Sequence, residues 1–133
     1  MSQENVEIVR QVIDMYNKSG FGEDVSGFFH ADAVFEEPPS QPGAQVVRGR
    51  EAVRETFLRF DEAWKKHRSE PRDLRALDGG RVFMFSLERL IGREGIELKQ
   101  DAWTIFTLRD GEVVRWQAFW DEATALEAVG LRA

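Results

Sequence analysis

The sequence predicts an α+β domain with helices on one face of a curved antiparallel sheet. Two observations carry this. Helical periodicity dominates the first half of the chain, and from residue 73 onward strand-like segments follow one another, separated by short glycine turns. Helices first and a meander afterwards is the order in which helices segregate to one side of an antiparallel sheet.

Residues 4–18 read as the first helix. Val6, Val9, Ile13 and Tyr16 recur at helical spacing, and Ile8, Val12 and Met15 widen the stripe. Ser2 suits the N-cap, Glu4 suits the first turn, and Gly20 and Gly22 end the helix. A short helix is expected over Asp24–His30, with Val25, Phe28 and Phe29 toward the core. A first strand over 32–37 is closed by Pro38-Pro39, which cannot continue a ladder. After a loop over Ser40–Val47, a third helix spans Arg50 to His67, with Val53, Phe57, Phe60 and Trp64 on one face. Pro71 ends that region. Strands at 73–77, 81–91, 96–108 and 112–120 follow, turning at Asp78-Gly79-Gly80, Gly92–Gly95 and Asp110-Gly111. Asp-Gly between apolar runs is a strong hairpin signal. Asp121-Glu122-Ala123 opens a final helix carrying Leu126 and Val129, with Asp121 as its N-cap.

At 133 residues the chain is expected to form one domain over 1–133, with 42% hydrophobic and 32% charged residues. A net charge of −6 and no long basic run argue against a nucleic-acid partner. The absence of cysteine excludes disulfide and thiolate chemistry. His30 and His67 stand in separate segments with no ligand-like spacing, so no metal site and no cofactor are expected. The N-terminus lacks a basic, apolar leader and no apolar run approaches membrane-spanning length, so a soluble cytoplasmic protein without a membrane partner is the expectation.

The chemistry centres on Ala33-Val34-Phe35-Glu36-Glu37-Pro38-Pro39. A strand ending in two carboxylates and a double proline suits a pocket rim. Glu36 points to the opposite face, while Glu37 can serve as a base if apolar surroundings disfavour its charge. An exposed rim carboxylate is the competing reading. In the 81–91 strand the odd positions Phe85, Leu87 and Arg89 are assigned to the pocket face, with Arg89 either polarising a carbonyl or held in a structural ion pair. Ten Phe and four Trp in so short a chain can fill a core or line a cavity. Tyr16, Phe57, Trp64, Trp116 and Trp120 are candidates for the apolar wall, and Gln100 and Thr104 for fixing a carbonyl. Trp103, Ile105 and Phe119 fall on the other face and suggest a homodimer contact.

The order αα-β-α-ββββ resembles the SnoaL-like branch of the nuclear transport factor 2 superfamily over about residues 4–130. The residues that carry the resemblance are Asp32 to Pro39, Arg48-Gly49-Arg50-Glu51-Ala52-Val53, Trp103 to Val114, and Ala128-Val129-Gly130-Leu131. The resemblance implies a cone-shaped fold around one deep pocket, often dimeric through the outer sheet face. It implies a range of functions: ketosteroid isomerases, polyketide cyclases, epoxide hydrolases, dehydratases and binding proteins. Glu37 falls where the isomerases hold their catalytic carboxylate. Val12 and Thr104 fall where they hold an oxyanion-binding tyrosine and acid, with Tyr16 one turn beyond Val12. The carboxylate–arginine–carboxylate relay of the epoxide hydrolases is not matched around Arg89, because Ile91 follows it. A cofactor-free acid–base enzyme acting on a small apolar carbonyl compound is the function so implied, and a non-catalytic binding protein for a small apolar ligand is the alternative.

Overall fold

The computed structural model describes residues 2–130. Leu131, and the Ser2 side chain expected as an N-cap, lie outside what is described. The elements are α1 (Ser2–Ser19), α2 (Glu23–Ser26), β1 (Phe29–Glu36), β2 (Val46–Arg48), α3 (Arg50–Ala63), β3 (Lys66–Leu77), β4 (Arg81–Ile91), β5 (Glu97–Arg109), β6 (Glu112–Phe119) and α4 (Glu122–Ala128). The strands form one curved, unclosed sheet in the order β2-β1-β6-β5-β4-β3. Every neighbouring pair is antiparallel except β1 and β6, which run parallel.

The apolar stripe of α1 behaves as its spacing predicts. Val6, Val9, Val12, Ile13 and Tyr16 are buried, and the helix packs across β3 and β4. They share one core with Phe21, Phe29, Phe35, Val53, Val82, Met84 and Phe106. A second cluster lies on the outer face, where α4 covers Phe83, Ile105 and Phe119 with Ala125 and Val129. Ile105 and Phe119, expected in an exposed cluster, are therefore covered within the chain. Trp103 remains partly exposed, stacked on Phe85 at 5.2 Å.

The third helix is shorter than its pattern suggests. It ends at Ala63, and Trp64 is already extended at φ −118 and ψ 143. The expected helical turn from Trp64 to His67 is instead the start of β3, where Lys65 N–H donates to the Ile91 carbonyl and Lys66 pairs with Ile91. Pro71 sits inside β3 rather than ending a region. β3 is an edge strand and its register shifts between Pro71 and Asp73, so the missing N–H costs no central ladder bond. Two turns require their glycines. Gly111 (φ 80) follows Asp110 (φ 52) in the β5–β6 hairpin. At Gly80 (φ 72) a Cβ would stand 2.4 Å from the Leu108 carbonyl oxygen.

Candidate functional site

A cavity of about 210 Å³ opens between the concave face of the sheet and helices α1 and α3. β1 brings Phe35 and Glu37 to it, with Glu37 just past the last strand residue. The α3 helix contributes Thr56, Phe57 and Phe60, and β6 with its following residue contributes Trp116, Ala118 and Trp120. The rings interlock. Phe57 lies 4.7 Å from Phe21, 4.8 Å from Phe35 and 4.9 Å from Trp116. Such contacts fix a rigid apolar wall.

The polar part of the cavity comes from β3, β4 and α1. On β3, His67 and Ser69 alternate inward while Arg68 and Glu70 point outward. On β4 the inward residues are the even ones, Met84, Glu88 and Leu90. Tyr16 projects from α1 and is only 6% exposed. Its hydroxyl donates to Asp61 Oδ1 at 2.6 Å and lies 2.5 Å from His67 Nδ1. His67 Nε2 lies 2.7 Å from Glu88 Oε1, while Ser69 and Ser86 hydroxyls donate to Glu88 Oε2 at 2.8 and 2.6 Å. Asn17 braces the chain from behind through two bonds to the Ser69 backbone, at 2.7 and 2.8 Å.

Donor counting fixes the roles. Tyr16 has one hydroxyl proton, and Asp61 as a carboxylate can only accept it. His67 Nδ1 must then donate to the Tyr16 oxygen, and Nε2 must donate to the Glu88 carboxylate. The network is satisfied when both ring nitrogens carry a proton. Burial first, then the Asp61 hydrogen bond and the negative charges of Asp61 and Glu88, push the Tyr16 pKa well above the usual tyrosine value. Tyr16 is therefore held as a neutral phenol.

Glu37 reaches the cavity as the sequence suggests. Its Oε1 accepts from the Gln45 backbone N–H at 2.8 Å, and Oε2 makes no hydrogen bond among the described residues. Glu36 faces the other way, where Arg115 Nε donates to it at 2.5 Å. Tyr16, Phe57, Thr104, Trp116 and Trp120 also line the cavity, Trp120 at its exposed margin.

Five expected site residues are elsewhere. Arg89, Phe85 and Leu87 lie on the outer face of β4, because the apolar odd positions pack beneath α4 and Trp103 rather than toward the cavity. Arg89 donates to Glu70 Oε2 at 2.9 Å and Glu97 Oε1 at 3.2 Å, the structural ion pairing that was its alternative reading. Trp64 packs on Phe60 at 6.4 Å and does not line the cavity, since α3 ends before it. Gln100 pairs with Glu88 across β4 and β5 but stands beyond the lining. His67, Glu88, Ser69 and Asp61 were not anticipated as a group. The signal available was the alternation of polar inward residues at His67 and Ser69, with Glu88 on the neighbouring strand. Among the described residues no three or more His, Cys, Asp or Glu side chains are grouped to hold a metal, and no helix is long and apolar enough to cross a membrane.

Comparison with known proteins agrees with this architecture. A model of the SnoaL-like domain matches residues 9–116, and the chain belongs to that family. The fold is similar to that of Bal32a from a soil-derived mobile gene cassette, with 20% identity, a TM-score of 0.79, and 96% of this chain and 97% of the other covered. It is also similar to TerC, crystallised with polyporic acid, at 19% identity and a TM-score of 0.77, covering 95% and 97% of the two chains. A candidate polyketide cyclase from Xanthomonas campestris is similar at 17% identity and a TM-score of 0.75, covering 97% and 96%. At these identities the likeness concerns the fold alone. No curated protein sequence matches.

Proposed function

We propose that the protein is an acid–base enzyme acting on a small apolar molecule that carries a carbonyl group, in the manner of a cyclase, isomerase or dehydratase that needs no cofactor. The observation that carries this reading is a polar chain, Asp61–Tyr16–His67–Glu88, set into the wall of an otherwise aromatic cavity. Glu37 Oε2 takes a proton from the carbon next to the carbonyl, and the electron pair of that C–H bond moves onto the carbonyl oxygen as an enolate. With ligand bound, Tyr16 turns its one hydroxyl proton from Asp61 to that oxygen, while His67 Nδ1 continues to donate to the phenol oxygen. Donors held in place where charge develops are among the strongest contributions to such a step. Return of the proton to a different atom completes an isomerisation, and attack of the enolate carbon on a second carbonyl completes a cyclisation. The co-crystallisation of TerC with polyporic acid and the likeness to a candidate polyketide cyclase support this ligand class.

The test is deuterium wash-in at the α-carbon of 2-tetralone in heavy water, followed by NMR. Wild type is expected to accelerate exchange over a protein-free blank, and Glu37→Gln to lose about 10²–10⁴ of that acceleration. Equal rates in the two proteins remove Glu37 from the reaction.

One observation favours a second reading, a binding protein without catalysis. The polar chain is internally saturated, with Glu88 accepting three bonds and Glu37 tied to the Gln45 amide. On that reading 2-tetralone quenches tryptophan fluorescence in wild type and Glu37→Gln alike, with no exchange above the blank.

A further inference from the structure

The outer face of the sheet carries a row of side chains unrelated to the cavity. Register pairing aligns Arg48 with Val34, Val34 with Arg115, Arg115 with Thr107, and Thr107 with Arg81, one straight line across five strands. Residues paired in this way share a face. The next row along the same strands, Phe35, Trp116, Phe106 and Val82, belongs to the inner core and cavity wall, so the arginine row faces outward. At about 4.8 Å between strands, successive arginines of the row stand about 10 Å apart at the backbone. Arg109, two residues beyond Thr107, joins them along a shallow groove of about 570 Å³.

The charges in this groove do not cancel. Four arginines face two carboxylates, Asp32 and Glu36, leaving +2 (4 − 2) with His30 neutral, on a chain whose net charge is −6. Glu36 is taken by Arg115 and Gln117, and Arg81 Nε donates to the Asp78 carbonyl at 2.9 Å. Arg48 and Arg109 make no ion pair and no side-chain hydrogen bond among the described residues. An uncompensated positive groove on an acidic protein is a local field that attracts anions.

We propose that this groove binds the phosphate groups of a small oligophosphate-bearing molecule. All four cations are arginines, whose planar forks match phosphate oxygens in pairs where a lysine offers a point charge. Thr107 adds a hydroxyl donor between Arg115 and Arg81, and Val34 and Val114 supply an apolar strip for the organic part of the ligand. The surrounding negative charge opposes a long polyanion such as nucleic acid, while a compact anion fits within the positive groove.

Isothermal titration calorimetry with sodium tripolyphosphate tests this on wild type, the Arg48→Ala/Arg109→Ala double variant and Arg10→Ala, a change on the surface of α1. The expected result is saturable single-site binding to wild type that weakens as salt rises, an affinity at least about tenfold lower in the double variant, and no change in Arg10→Ala. Neither Arg48 nor Arg109 holds a partner, so the thermal midpoint of the double variant should match wild type. Absence of saturable binding to wild type overturns the proposal, as does equal affinity in the double variant. A poly-glutamate peptide that displaces tripolyphosphate and binds the same arginines more tightly would overturn it in favour of an acidic protein partner.

Discussion

Tyr16 and His67 stand 51 residues apart, one on the first helix and the other on an edge strand, yet His67 Nδ1 lies 2.5 Å from the Tyr16 hydroxyl oxygen. The contact joins a helix, α3 through Asp61, and the β3–β4 pair through Glu88. It makes the polar side of the cavity one connected structure, so a change at either residue is transmitted to both carboxylates.

Tyr16 is the single tyrosine of the chain, so its ionisation can be read directly from tyrosinate absorbance in the near ultraviolet. A group whose folded pKa is raised contributes stability that is fully present below its unfolded value, about 10, and is lost as pH rises above it. No tyrosinate signal is expected while the protein remains folded, and stability should fall as pH climbs beyond about 10. Titration near 10 with the circular dichroism spectrum intact would contradict the buried phenol.

Tyr16→Phe removes the hydroxyl but leaves Asp61 and His67 without that partner. The cost is expected at about 1–3 kcal/mol in chemical denaturation, because partly buried polar groups are stranded. A loss below about 0.5 kcal/mol would mean that both groups find other partners at little cost.

Gly80 turns the chain from β3 into β4 at φ 72, directly against the Leu108 carbonyl. Gly80→Ala combines a left-handed backbone with a 2.4 Å clash against rigid backbone. A destabilisation of at least about 2 kcal/mol is expected by thermal unfolding, whereas Gly43→Ala, with open space at its Cβ, should cost only its backbone strain of about 1 kcal/mol.

Arg89→Met should leave deuterium wash-in to 2-tetralone unchanged, since Arg89 is committed to Glu70 and Glu97 on the outer face. A tenfold fall in this variant, with the fold intact, would place Arg89 within reach of the ligand and reverse the assignment of the two faces of β4.

The fold was legible in the sequence because its signals were local. The stripe on α1, the Pro38-Pro39 stop and the Asp110-Gly111 hairpin each determine structure within a few residues, and Asp121 caps α4 by accepting from Thr124 N–H at 2.9 Å. The position of Glu37 at the cavity was legible for the same reason. The misreadings arose where burial is decided by distant elements. On β4 the odd positions Phe83, Phe85 and Leu87 are more apolar than the even ones, which pointed to the wrong face. The even positions carry Ser86 and Glu88 because they build the polar network, while α4, about 35 residues further on, covers part of the odd face. The start of β3 was hidden by the same cause: its inward residues, His67 and Ser69, are polar members of that network, so no apolar alternation marks the strand.

On the proposed function, Glu37 and the Tyr16–His67 pair act on one carbonyl compound in one cavity. In a flat sheet β1 and β3 would lie four strand spacings apart, about 19 Å, and curvature brings their residues to the same hollow. The most direct measurement is the rate of deuterium wash-in to 2-tetralone by wild type and His67→Gln, with binding followed separately by tryptophan fluorescence. Binding within a few-fold of wild type is expected for His67→Gln, with exchange slowed by about 10²-fold or more. Exchange at the wild-type rate in His67→Gln, or a wild type no faster than the protein-free blank, would contradict the proposed function.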